Sequence, residues 1–534
     1  MKQFTPTIIS FLLIALLGFY IANFREGNYL PVWIFWFCTI TIFSLIVYQI
    51  SKIKIKNQYS DYHIHILLQI LMTAFLMRML FISTGNALAG YDAYNEFVTL
   101  SKVNNMGYWN PNEIGGYGAA YPILYMFGII WSQIIDVNMF TTAKWMPISF
   151  FFVAPLFIYL IGNLKYSKRA ALLASFGFAF LYISLFFHTT LQRETVAFPI
   201  FLLTIYLYYR GTIQKENGIS YISLAILTAI VCVLSHHLTS FLLLIFFITY
   251  TIIDKFAPSE ELTLKKEHTS IVFTVLLFAL TFGYWVYLKY TPIEFLTLVI
   301  KESTITMPEG GAIIPTTLRY KILYYGEIIF AILFALLSTW ALVLRNKERV
   351  SSDIALFIYS GITGLIMVLT LQGRILPHEG MGLGSRFQSF VYIGIFILSG
   401  YTVSEFLRKY NRQLKRLILI IFVAYALLSI YRIPPYLYSE KNEFVHGEAR
   451  PLITEEEVSA VTWVRAGNAV ADISLRGAFQ LNELPESKYT TEYSDIVYLI
   501  HSHIVPFSTN KYITNSSLRI YDNGLVEIYY CNLL

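Results

Sequence analysis

Residues 64–84 read Ile64-His65-Ile66-Leu67-Leu68-Gln69-Ile70-Leu71-Met72-Thr73-Ala74-Phe75-Leu76-Met77-Arg78-Met79-Leu80-Phe81-Ile82-Ser83-Thr84, and residues 90–97 read Gly90-Tyr91-Asp92-Ala93-Tyr94-Asn95-Glu96-Phe97. The first stretch is long and apolar enough to cross a bilayer, which takes roughly 20 residues of helix. The second places two carboxylates four residues apart, on one face if the segment is helical. Paired acids therefore stand where a membrane span meets water.

The same character runs through the whole chain. Of 534 residues, 56% are hydrophobic and 13% are charged, against about 25% charged in ordinary soluble domains. Mean hydropathy is +0.58. Lipid must be the solvent for much of such a chain. Aromatic residues reach 17%, with 42 Phe and 40 Tyr, as suits a bundle with many interfacial rings. Cys38, Cys232 and Cys531 lie far apart, in neither a disulfide framework nor a metal-ligand spacing. The net charge of +6 comes from basic residues between apolar runs and calls for no nucleic-acid partner. The apolar run after Lys2 shows no clear small-residue cleavage site before Arg25 and reads as a retained span.

Apolar runs of spanning length occur at 5–24, 30–50, 64–84, 145–163, 168–187, 194–209, 219–234, 237–253, 269–289, 322–344, 352–371, 387–407 and 413–432. The expected fold is an all-α polytopic membrane bundle of about thirteen helices. Lys52, Lys165, Arg210, Lys255, Arg345, Arg408 and their basic neighbours all fall on one side of that arrangement, which is then cytoplasmic. This implies a plasma-membrane protein with a cytoplasmic N-terminus. Residues 121–136 fit the pattern only as an interfacial or re-entrant helix. Residues 219–253 exceed one span and read as two short helices meeting at Ser235-His236-His237.

Three regions follow: 1–60 with two N-terminal helices, 61–432 as the membrane core with an acidic first outer loop at 85–120, and 433–534 as a small extracytoplasmic α/β or mainly β domain. In that tail Pro434-Pro435 reads as a linker and Thr454-Glu455-Glu456-Glu457 as a helix start. Asn523-Gly524 suits a type I′ turn in a hairpin over 517–530. Asn515-Ser516-Ser517 fits a glycosylation sequon of low weight.

Polar residues gather at the outer side. The first loop carries Asp92, Glu96 and Glu113 among Tyr and Trp, and a carboxylate beside an aromatic wall suits a general base for a hydroxyl acceptor. The bland alternative is a solvated loop with interfacial rings. Gln192-Arg193-Glu194 begins a span, either as an Arg–Glu anchor or with Arg193 turned inward to hold an anionic head group. His236 and His237 form either a polar turn or a phosphate or metal contact. Adjacent helical residues point about 100° apart, so the two bind one ligand together only from a turn. Loop 372–386 offers Arg374, His378 and Glu379 among glycines, and Arg386 opens the next span, the residue type that grips phosphate bidentately. No Gly-Lys-Ser/Thr follows those glycines, so this is no Walker loop. Loop 290–320 contains an amphipathic stretch with the shape of a lid.

Taken together, the span 64–84 leading into Asp92 and Glu96, Tyr108-Trp109-Asn110-Pro111, Tyr121-Pro122-Ile123-Leu124-Tyr125, Gln192-Arg193-Glu194, Ser235-His236-His237-Leu238-Thr239 and Ile520-Tyr521-Asp522-Asn523-Gly524 resemble the GT-C class of membrane glycosyltransferases. That class includes protein O-mannosyltransferases, lipid A aminoarabinose transferases and oligosaccharyltransferase catalytic subunits. No Trp-Trp-Asp-Tyr-Gly motif occurs, which argues against transfer of a whole oligosaccharide to asparagine.

The resemblance implies a polyprenyl-phosphate-linked sugar donor, used at the extracytoplasmic face, and a glycan, lipid or protein acceptor. It implies Asp92 as general base, with inversion at the anomeric carbon. Glu96 would orient the acceptor or pair with a cation. Arg193, Arg386, His236 and His237 would stabilise the departing phosphate, with Gln192, Glu194, Arg374, His378 and Glu379 as secondary candidates. No cofactor is certain, and a divalent metal held by Asp92, Glu96 and His237 stays open. Two other readings compete: a lipid-linked glycan flippase, which would place polar residues within the spans, and an outer-leaflet glycan polymerase, which would lean on Arg-rich loops.

Overall fold

The computed structural model describes residues 5–25, 31–53, 61–83, 88, 91–114, 120–181, 184, 185, 187–214, 217–256, 264–288, 318–344, 351–371, 380–410 and 412–431, and four strands between 468 and 532. Helices α1 (Thr5–Arg25), α2 (Val32–Lys52) and α3 (Tyr62–Ser83) come first. Three shorter helices follow: α4 (Tyr91–Met106), α5 (Pro111–Ile114) and α6 (Ile123–Ile135). Next are α7 (Met139–Phe151), α8 (Ala154–Lys165), α9 (Lys168–Ala179), α10 (Arg193–Ile213), α11 (Gly218–Ser235) and α12 (His237–Phe256). The bundle finishes with α13 (Leu264–Tyr287), α14 (Leu318–Leu344), α15 (Ser351–Leu371), α16 (Gly380–Lys409) and α17 (Arg412–Tyr431).

Among the described residues, 11 helical segments are long and apolar enough to cross a membrane, with α7 and α8 forming one bent span over Met139–Lys165. The expected spans at 168–187 and 413–432 are the two that differ. The first stops after 12 residues at Ala179, and among the described residues beyond it are helical Ser184 and Leu185 and a 3-10 turn, Phe187–Thr189. The second is a 20-residue helix, but Arg412, Lys415 and Arg416 delay its apolar part until Leu417. Helix α6 has 13 residues, about 20 Å of helix, short of the roughly 30 Å hydrocarbon core. The expected junction of two helices at Ser235-His236-His237 is present.

Two loop expectations are corrected. The first outer loop contains α4 and α5, so Asp92 and Glu96 are helical residues one turn apart. Residues 380–386 open α16 rather than closing a loop.

Helix α16 is the central post. Of its spanning window 78% is buried, against 17% for Tyr325–Leu344 at the lipid-facing periphery. It packs on α15, α14 and α9. At Gly400 a Cβ would stand 2.6 Å from the Ala170 carbonyl oxygen, so only glycine lets α9 and α16 approach this closely.

Basic residues and polar ties collect at one end of the bundle. Lys165 pairs with Asp353 at 3.1 Å, and the Tyr166 hydroxyl donates to the same carboxylate at 2.7 Å. Ser351 donates to Asp254 at 3.1 Å, and Arg169 Nε donates to Ser404 Oγ at 3.0 Å.

The strands β1 (Asn468–Ala471), β2 (Ile496–Ser502), β3 (Leu518–Asp522) and β4 (Val526–Asn532) form one sheet in the order β1-β2-β4-β3. β1 and β2 are parallel. β3 and β4 are antiparallel, with Leu518 opposite Tyr530. The Asn523-Gly524 turn, the sequon, the Pro434-Pro435 linker and the helix start at Thr454 lie outside the described residues, as does loop 290–317.

Candidate functional site

The site lies at the opposite end of the bundle, where α10 begins, α11 gives way to α12, and α16 enters the core. Gln192 has extended backbone (φ −141°, ψ 154°) and starts α10, so Arg193 and Glu194 occupy its first turn. An acid there complements the helix dipole. His236 has extended backbone (φ −164°, ψ 130°) and breaks the 218–256 stretch into two helices. Its carbonyl accepts the Ser240 N–H at 3.1 Å, which begins α12.

Two ion pairs interlock here. Arg193 Nη2 lies 2.7 Å from Glu96 Oε1, with both side chains nearly buried. The other Glu96 oxygen accepts the Tyr125 hydroxyl. One residue along, Glu194 Oε1 accepts from Arg386 Nη1 at 2.7 Å and faces His236 Nε2 at 3.6 Å. His236 Nδ1 meets Thr239 Oγ1 at 3.0 Å. The Arg193 guanidinium lies 5.8 Å from the Tyr121 ring centre. Tyr121 in turn packs on His237 at 5.8 Å and on Tyr284 at 6.2 Å.

These residues come from α4, the entry to α6, α10, the α11–α12 junction, α13 and α16. Burial of a charge is expensive unless it is paired and hydrogen-bonded, and each carboxylate here has a guanidinium. Burial pushes the Glu96 carboxyl above its ordinary range, against the opposing pull of Arg193 and Tyr125. Burial also drives His236 down to about 4, outweighing the nearby Glu194 carboxylate, so its ring is neutral at pH 7. Of the site's cations, Arg386 is the more open, with 23% of its side chain exposed. The arrangement can present two guanidinium groups and imidazole rings to an anion.

Of the expected residues, the structure brings together Glu96, Arg193, Glu194, His236, His237 and Arg386. Gln192 is buried at the same junction. Asp92 sits one helical turn before Glu96, and its side chain lies outside the described residues. Arg374, His378 and Glu379 lie outside them too. Among the described residues, no cluster of three His, Cys, Asp or Glu could hold a metal ion.

The expected list omitted three participants. Tyr121 and Tyr125 appeared only as part of a motif; Tyr121 precedes the Pro122 cap and Tyr125 lies in the first turn of α6. Arg78, the lone charge of residues 64–84, is fully buried. It donates to the Ala74 carbonyl at 3.0 Å and to Ser184 Oγ at 3.0 Å, over the Phe151 ring at 5.3 Å. Phe151 also carries His188, stacked at 4.1 Å, and His188 Nε2 meets Ser389 Oγ at 2.8 Å. Arg78 and His188 thereby tie the broken segment after α9 to α3 and α16.

No family model matches the chain, and no curated protein matches it. Solved structures do. The oligosaccharyltransferase of Archaeoglobus fulgidus, tethered to an acceptor peptide containing the NVT sequon, matches at TM-score 0.51 and 15% identity over 83% of this chain and 69% of that one. The same archaeal enzyme, AglB, in complex with an inhibitory peptide and a dolichol-phosphate, matches at TM-score 0.50 and 14% identity over 81% of this chain and 62% of that one. ArnT from Cupriavidus metallidurans, bound to undecaprenyl phosphate, matches at TM-score 0.51 and 11% identity over 88% of this chain and 98% of its own. The fold is the GT-C fold. The chain spans about 62% of the length of the archaeal enzyme and nearly all of ArnT. In this GT-C frame the described charged cluster sits at one end of a multi-pass helical bundle.

Proposed function

We propose that the protein is a membrane glycosyltransferase that moves a sugar from a polyprenyl-phosphate-linked donor to a glycan, lipid or protein acceptor at the extracytoplasmic face. The observation that carries this reading is the convergence of Arg193, Arg386, His236 and His237 beside Glu96 at one end of a GT-C fold. The basic residues at the other end support a cytoplasmic N-terminus and an extracytoplasmic site and C-terminal domain. Neighbours of the same fold hold dolichol-phosphate and undecaprenyl phosphate.

In this mechanism Asp92 takes the proton of the acceptor hydroxyl. The acceptor oxygen forms a bond to the anomeric carbon from the face opposite the phosphate. The bond from that carbon to the phosphate oxygen breaks, configuration inverts, and polyprenyl phosphate departs. Arg193 and Arg386 stabilise the charge growing on the phosphate, the electrostatic task that usually contributes most. The rings of His236 and His237 stand beside the guanidinium groups as further polar lining of that phosphate site. Glu96 holds Arg193 in this scheme, the second of the two roles expected for it.

The test is Asp92→Asn in proteoliposomes supplied with polyprenyl-phosphate sugar, reading release of polyprenyl phosphate. A general base contributes about 10²–10⁴-fold, so turnover should drop by at least about 100-fold while donor binding persists. Undiminished turnover would overturn the base assignment. Movement of labelled donor across the bilayer without release of polyprenyl phosphate would favour a flippase.

A further inference from the structure

We propose that Tyr125 is a positioning residue for Arg193, acting through Glu96 and through its own hydroxyl beside the guanidinium, with Tyr121 closing the other side of the same guanidinium. This inference rests on the reading that Arg193 binds the donor phosphate. The two tyrosines belong to one short motif, Tyr121-Pro122-Ile123-Leu124-Tyr125. Pro122 begins the turn, and the Tyr125 N–H bonds back to the Pro122 carbonyl at 3.1 Å. The two rings therefore leave one rigid helix entry as a fork.

Each prong is fixed by its own neighbours. The Tyr125 ring is fully buried and stacked on Trp109 at 5.6 Å with an interplanar angle of 24°. Its hydroxyl donates to Glu96 Oε2 and also lies against the Arg193 guanidinium, while Glu96 Oε1 takes Arg193 at 2.7 Å. The carboxylate thus spends one oxygen on each partner. On the other prong, Tyr121 is wedged among His236, His237 and Tyr284, and the Tyr284 hydroxyl donates to the Ala120 carbonyl just before it. Arg193 lies between the prongs, against the Tyr121 ring.

A free arginine side chain carries rotamer entropy, which is lost at the moment of binding unless the protein has already immobilised it. The fork performs that immobilisation beforehand. Charge balance alone asks only for Glu96 opposite Arg193. The Tyr125 hydroxyl adds direction, because it prevents the carboxylate from rotating away from the guanidinium.

The experiment titrates full-length purified protein with undecaprenyl phosphate and with dolichyl phosphate, read by native mass spectrometry, in a double-mutant cycle of Tyr125→Phe and Arg193→Ala. Tyr125→Phe should weaken binding about tenfold, in line with a hydrogen bond to a charged group. Arg193→Ala should weaken it more, and the double variant should bind no worse than Arg193→Ala alone, because the tyrosine acts only through the arginine. Wild-type binding by Tyr125→Phe overturns the proposal, and so do two losses that simply multiply. Normal binding by Arg193→Ala is a different result: it removes the phosphate role beneath the proposal. Should Tyr125→Phe fail to fold, Glu96→Gln answers instead. Weaker binding supports the positioning role, and tighter binding shows that Glu96 obstructs the phosphate site and overturns it.

Discussion

The two ends of the bundle both contain buried ion pairs, yet they are built differently. At the basic end a lysine, Lys165, meets one aspartate, Asp353, with side-chain exposures of 6% and 3%, and Tyr166 completes the contact. At the site end two arginines, two glutamates and two histidines interlock, and Arg386 keeps 23% of its side chain exposed. The first arrangement is a closed staple between the ends of α8 and α15. The second keeps one planar, multiply donating cation, Arg386, next to solvent. Burial alone therefore does not mark function here. Residue type, openness and the number of elements that converge do.

Breaking one partner at each end tests that distinction. Arg193→Ala should produce the largest effect, a loss of about 100-fold or more in transfer, on the scale of removing one transition-state donor. Lys165→Met leaves Asp353 buried without its cation, which typically costs about 3–5 kcal/mol of stability. Thermal melting in detergent should drop, while turnover per folded molecule stays unchanged. A turnover defect in Lys165→Met would erase the contrast between the two ends.

Acidification sharpens the contrast. The site's His236, at the junction between two spans, is neutral when folded, and burial holds it down to about 4, below the ordinary value near 6.5. Its stabilising contribution is fully present above about 6.5 and is lost as pH falls toward 4, because the unfolded chain takes up the proton first. Melting temperature should decline over that window, and His236→Gln should flatten the decline. The smallest effect is expected from Tyr166→Phe, a loss of about 1 kcal/mol of stability with donor affinity unaltered.

Much of the fold was legible because lipid imposes a simple rule: a crossing helix must be long and apolar. The chain's apolar runs follow it, including the two helices that meet at His236. The rule failed at 168–187, where apolar composition concealed a break that depends on Arg78, Ser184, His188 and Ser389 meeting from different helices. It also concealed α4 within the acidic loop and the helical start of residues 380–386.

The site was legible as residue types on one side of the membrane. Glu96, Arg193, His236 and Arg386 were each suspect, because charge and imidazole are rare near spans. Their pairing was not legible. In sequence Arg193 pairs as readily with its neighbour Glu194, since adjacent opposite charges look like a pair. In the molecule Arg193 reaches back to Glu96 in α4, and Glu194 reaches forward to Arg386 in α16.

By itself, then, the amino-acid sequence determined a polytopic helical protein with an acidic entry after α3 and cations at its helix ends. Those properties follow from composition and period, which are local. Only the tertiary structure decided which acid meets which base, and that Tyr121 and Tyr125 flank Arg193. Such contacts join residues tens to hundreds of positions apart, and their geometry is set by helix packing rather than by the identities of adjacent residues.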